Sequence, residues 1–213
     1  MRLRNIKGAS GIILESTYLI KNPISYKGNF SKLFNNDNPI EIEIGMGKGN
    51  FIIEKALKNP DINYIGIEKY ASVLVYAVKK LENLNIPNLK IINIDASEIN
   101  DLFDKEISKI YLNFSDPWPK KKHAKRRLTS SIFLDKYKFI FKNDAIIEMK
   151  TDNENLFEYS LVSLSENGYI LKFVTFDLYS TDIKDNVKTE YEAKFVAKGM
   201  KIHKLVAIQK LDR

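Results

Sequence analysis

The chain has no cysteine among its 213 residues. That removes disulfides, cysteine-ligated zinc, iron–sulfur clusters and thiolate nucleophiles together. Histidine is scarce, with two residues, and tryptophan occurs once. No run approaches the roughly 20 apolar residues of a membrane span, and GIIL, near the basic N-terminus, is too short for a signal-peptide core. A soluble cytoplasmic protein without a bound metal or a membrane partner is expected. No internal repeat and no low-complexity tract is visible.

What is present is enough apolar material, 44% of the chain, for one substantial core. A single domain over residues 1–213 is the simplest organisation. Residues 1–35 form an N-terminal extension without firm periodicity, able to fold over a cofactor site or to help hold RNA. The 34 basic and 27 acidic residues leave a net charge of +7. With a pI near 9.2 the balance favours a polyanionic partner, although surplus lysine also serves solubility and charge alone does not choose.

Short β-branched runs predict strands at 40–45, 63–68, 90–95, 109–114, 145–150, 170–176 and 204–210. Apolar residues at helical spacing predict helices over 49–58, 71–84, 130–141 and 153–166, with Asn153 as an N-cap and Gly168 after the last. The alternation implies a mainly parallel sheet with helices on both faces. Between the last two strands the chain is polar and broken, so an antiparallel pairing is expected at that end.

In such a sheet, ligands bind beyond the carboxyl ends of the strands. Four of those ends carry glycine or acid in order: EIEIGMGKG, then Glu68, then Asp95, then NFSDPWPK. Gly45, Gly47 and Gly49 permit a tight bend and close ligand approach. Asn50 stands where a dinucleotide fingerprint needs glycine or alanine, and Lys48 does not complete a Walker phosphate loop. Glu68 suits a ribose diol and Asp95 an adenine amino group, while the plainer readings are a partner for Lys69 and a helix N-cap. Glu43, two residues before the bend, suits a positively charged ligand and suits a pyrophosphate badly.

In these motifs the chain resembles the class I S-adenosylmethionine-dependent methyltransferases. More closely, EIGMGKGNF, GIEKY, YLNFSDPWPKKKHAKRRL, MKTDNE and TEYEAKF resemble the bacterial tRNA (guanine-N7-)-methyltransferases, from about residue 35 onward. The resemblance implies a Rossmann-like α/β fold with a mostly parallel seven-stranded sheet. It implies S-adenosylmethionine as cofactor, tRNA as partner, and methylation at N7 of guanosine 46 in the variable loop. Carried over by motif, Glu43, Gly45, Gly47, Gly49, Glu68, Asp95 and Asp116 are the cofactor site, with Asp116 its catalytic centre. Lys120, Asp152, Thr189, Glu190, Tyr191 and Glu192 match substrate-binding positions. Lys122, His123, Lys125, Arg126 and Arg127 match the RNA-contacting segment. Glu190 departs from relatives that carry Arg or Asn there. A monomer or a homodimer is compatible with the sequence.

The chemistry agrees with the residues. Guanine N7 presents a lone pair and needs no deprotonation. Carbon methylation of a pyrimidine would need a covalent nucleophile, normally the absent thiolate. Asp116 or Glu192 could select guanine through its N1–H and 2-amino donors. Residues 120–127, KKKHAKRR, place six Lys or Arg in eight positions beside the loop. That run is either a solvated surface or a phosphate-holding patch. Trp118 either stacks on a base or covers core, and His203 reads as structural. The competing classes are an inactive RNA-binding module on the same fold and an exocyclic amino-group methyltransferase, whose proline loops NFSDPWP partly matches. A nicotinamide oxidoreductase is more distant.

Overall fold

The computed structural model describes residues 8–183 and 185–211. Its strands are β1 Ile40–Ile44, β2 Asn63–Ile67, β3 Leu89–Ile92, β4 Ile107–Asn113, β5 Ala145–Thr151, β6 Ile170–Thr175 and β7 His203–Gln209. They form one seven-stranded sheet in the order β3-β2-β1-β4-β5-β7-β6. β1 to β5 run parallel, and β7 is antiparallel to both β5 and β6. The mostly parallel sheet with an antiparallel strand at its C-terminal end is therefore present as expected.

Alternation along β1 explains the layering. Ile40, Ile42 and Ile44 share one face with Glu41 and Glu43 on the other. The isoleucine face meets a core built with Phe133, Leu134 and Tyr137 of α5 (Ser131–Ile140) and Leu156 and Phe157 of α6 (Glu154–Glu166). A second core on the opposite face joins α1 (Ala9–Glu15), α2 (Asn50–Lys58) and α3 (Ala71–Leu81) to Tyr64, Ile91 and Tyr111. Each fully buried Ile, Leu or Phe stabilises the fold by about 1.5–3 kcal/mol. Helices therefore cover both faces of the sheet. Asn153 caps α6, its side chain accepting from the Leu156 amide at 2.8 Å, and Gly168 leaves the helix with φ 83°.

Two regions hold more structure than periodicity indicated. Described residues from Gly8 onward pack onto the sheet: α1 lies on α3, Leu19 bridges Ile91, and Phe30 is wholly buried against Phe103 at 4.5 Å. The Glu106 carboxylate accepts from the Gly28 and Phe30 amides, which fixes that turn. Two further short helices form, α4 (Ile99–Leu102) and α7 (Glu190–Val196). α7 lies in the polar stretch before β7 and opens with a capping box, in which Thr189 and Glu192 each satisfy the other's backbone amide. At seven residues the helix is too short to show an apolar period, and its capping box was not anticipated.

Candidate active site

The glycine bend joins β1 to α2 with three left-handed residues, Gly45, Gly47 and Gly49, at φ 81°, 59° and 80°. Their uses differ. A Cβ on Gly45 or Gly47 would meet nothing within 4 Å, so both leave bare backbone facing open space. A Cβ on Gly49 would stand 2.9 Å from Met46 Cε and 3.0 Å from Ala77 Cβ, so this glycine lets α2 pack against α3.

Glu43 is 2% exposed. Asn113 Nδ2 donates to its Oε1 at 2.8 Å, and its Oε2 is buried without a protein partner. Burial pushes the carboxyl up to about 7, against the Asn113 hydrogen bond and the Lys150 charge, with Glu68 adding to the rise. Glu68, at the end of β2, accepts from the Gly47 amide at 3.0 Å and the Tyr70 amide at 2.9 Å, so it braces the bend from behind. Burial raises its carboxyl too, the amides oppose that rise, and nearby Asp116 adds to it. Lys69 pairs with Asp95 rather than with Glu68. That ion pair, together with the Ser97 amide, holds the Asp95 carboxyl down at about 2. Asp95 is also the expected N-cap.

The loop after β4 is conformationally forced. Phe114 and Trp118, both non-glycine, take φ 51° and 42° on either side of the exposed Asp116. Arg127 holds this bend from within, donating to the Pro117 and Trp118 carbonyls at 3.1 and 3.2 Å while its guanidinium lies over the Tyr159 ring. Arg126 covers the Trp118 ring at 4.9 Å, and His123 meets the same ring edge-on at 5.8 Å. Trp118 thus belongs to a surface stack with basic residues rather than to the core. Lys122 and Lys125 are exposed along a 3₁₀ turn, Lys121–Arg126, and Lys120 is exposed at its N-cap, so all three present their charge to solvent. His203 is buried, bonded to the Phe176 carbonyl and stacked on Phe157, and is structural as expected.

Opposite the bend stands the start of α7. Thr189, Glu190 and Tyr191 face Glu43, the glycine bend, Asn113 and Phe114 across a cleft of about 390 Å³, within the range of small-ligand sites. Glu190 pairs with Lys48 at 3.3 Å and with Lys80, tying this wall to the bend and to α3. Tyr191 packs against Phe114 at 5.0 Å and Phe195 at 4.1 Å, and its hydroxyl lies 3.4 Å from Asp152. Glu192 faces away from the cleft. It is 0% exposed, and its two oxygens are taken by Lys150, the Thr189 amide, Tyr179 and Asn186. That occupancy removes it as a receptor for guanine and makes it the anchor of the wall. Glu68, Asp95 and Asp116 do not line this cleft; Glu68 meets it only through its bond to the Gly47 amide.

Asn113, Lys150, Lys48 and Lys80 were not singled out in the sequence. Asn113 opens the NFSDPWP motif, and Lys150 is a lysine ending an apolar strand, a sign of a buried partner. The two bend-side lysines carried no signal apart from their tertiary partner Glu190.

The site fits a sulfonium nucleoside. A buried, unpartnered carboxylate oxygen beside bare glycine backbone, with acids at the next strand ends, complements positive charge and hydroxyl donors and would repel a pyrophosphate. A family profile described as a putative methyltransferase matches residues 37–205. The tRNA (guanine-N(7)-)-methyltransferase of Bacillus licheniformis is 51% identical over 209 residues, covering 97% of this chain and 98% of that one. The protein of the same name from Bacillus subtilis is 50% identical over 206 residues, covering 96% and 97%. Among solved structures, the 16S rRNA methyltransferase KamB shares the fold at a TM-score of 0.66 and 13% identity, over 86% of this chain and 94% of that one. The chain therefore belongs to the bacterial tRNA (guanine-N(7)-)-methyltransferases, a family of S-adenosylmethionine-dependent enzymes on the class I fold.

Proposed function

We propose that this protein methylates N7 of guanine in tRNA, at guanosine 46 of the variable loop. The observation that carries the reading is the cleft in which Glu43 and the glycine bend face Thr189, Glu190 and Tyr191. The activity named for the relatives, alike over nearly their full length, supports it. When bound, S-adenosylmethionine supplies an electrophilic methyl on a sulfonium centre. Glu43 Oε2 is the acceptor for its positive end, the open faces of Gly45 and Gly47 seat it, and Glu68 and Asp95 offer lone pairs to ribose and adenine.

The protein needs no general base, because N7 already carries its lone pair. Its residues hold and aim the base, and alignment of that kind supplies on the order of 7–11 kcal/mol at best. Phe114 and Tyr191 offer aromatic surface at the cleft, Asp116 and Asp152 offer acceptors for guanine donors, and the exposed Lys120, Lys122, Lys125 and Arg126 take tRNA phosphates. A carboxylate near the purine also favours the positive charge that develops on the imidazole ring.

The test uses labelled methyl donor and unmodified tRNA transcript, followed by aniline cleavage mapping. Scission at position 46, lost when that guanosine is replaced by adenosine, is the expected result. Label on an exocyclic amine, found by nucleoside mass analysis, overturns the reading. Asp116→Asn should slow single turnover while leaving the protein folded; an unchanged rate would remove Asp116 from the reaction.

A further inference from the structure

Lys150 is a fully buried cation at the carboxyl end of β5, and the mechanism above does not use it. Its ammonium has three acceptors: the Val187 carbonyl at 2.8 Å, Asn186 Oδ1 at 3.2 Å and Glu192 Oε2. They saturate its three donors. Both members of the Lys150–Glu192 pair are 0% exposed. A buried pair of this kind is a poor route to stability, since well-packed apolar side chains often do as well or better. Its placement is informative. Every acceptor of Lys150 lies in residues 186–192, the stretch that carries Thr189, Glu190 and Tyr191 into the cleft. Glu192 extends the tie, accepting from Tyr179 Oη at 2.8 Å and closing the capping box that starts α7. The Lys150 charge also acts on Glu43, which lines the cleft.

We propose that Lys150 is a positioning residue for the methyl transfer: with Glu192 it fixes the Asn186–Tyr191 wall against the end of β5, setting where the base meets the cofactor side. This rests on the function proposed above. The residue touches neither partner of the reaction. It acts through the backbone of Val187 and the carboxylate of Glu192, so its loss moves turnover rather than tRNA capture, which the exposed basic turn 120–127 performs independently.

The experiment compares wild type with Lys150→Met, Glu192→Gln and the double variant, using thermal melts, tRNA KM and single-turnover rate. Either single change leaves a buried group without its partner. The double removes both charges together, so it is the variant expected to fold. In the folded double variant the rate should fall about 100-fold, the scale of a small misplacement of reacting groups, with tRNA KM little changed. Tyr179→Phe, at a partly exposed position, removes one donor from Glu192 without stranding a charge and should slow turnover several-fold while the protein stays folded, with only a modest drop in the melt. It decides the matter should the double variant fail to fold. Wild-type rates in the folded variants, or a loss confined to KM, overturn the proposal. Absence of N7 methylation by the wild type would instead overturn the functional reading, so the two failures are distinguishable.

Discussion

At the scale of a residue, Glu43 couples the site to pH. Its carboxyl rests at about 7 in the fold against 4.5 unperturbed, because it is buried with one oxygen unpartnered. Between those values the unfolded chain has released this proton and the folded chain keeps it. The native state then binds more protons, so stability falls as pH rises through that window and is flat above it. Glu43 alone contributes a loss on the order of 3 kcal/mol. Denaturant titrations from about pH 5 to 8 should show a steeper decline for wild type than for Glu43→Gln; parallel curves would contradict the burial argument. Binding of a cationic ligand favours the ionised form, so S-adenosylmethionine should release a proton near neutrality. Calorimetry in two buffers of different ionisation enthalpy reads that release directly, and Glu43→Gln should abolish it.

At the scale of an element, the loop after β4 shows how two adjacent arginines come to do different work. Arg127 is bonded to the carbonyls of Pro117 and Trp118, whereas Arg126 lies on the outer face of Trp118. Arg127→Ala should therefore lower both the melting temperature and turnover, having freed two carbonyls of a loop with left-handed residues. Arg126→Ala should act on tRNA KM alone. Identical behaviour of the two variants in melts and kinetics would refute the division. Sequence reasoning grouped both as RNA contacts, because a run of like charges does not show which side chain turns inward. The family motif likewise placed Glu192 with the substrate, since a motif does not show the lysine that occupies its carboxylate. The long elements were readable. β1, β2, α5 and α6 carry their period over enough residues, whereas α7 owes its form to its capping box and α4 to its packing on α5.

At the scale of the molecule, the basic turn 120–127 follows the loop whose first residue, Phe114, lines the cleft, and its lysines are exposed. Exposed charges that meet phosphates release counterions. Lys122→Ala with Lys125→Ala should reduce the slope of log affinity for tRNA against log salt by about 1 for each phosphate that is no longer neutralised. Filter binding across a salt series measures this, and an unchanged slope would take the turn out of the RNA interface.

The order of strands and helices, the glycine bend, the succession of strand-end acids and the basic run were determined by the sequence alone. Each depends on local period, backbone freedom or composition, which neighbours along the chain carry. Only the tertiary structure decided that Glu43 keeps an unpartnered oxygen, that Glu192 turns from the cleft to Lys150, and that Glu190 reaches Lys48 and Lys80. Those outcomes depend on which groups meet after the sheet closes and water is excluded, and the partners a side chain finds there, rather than its residue type, then determine whether a charge is free to bind or already bound.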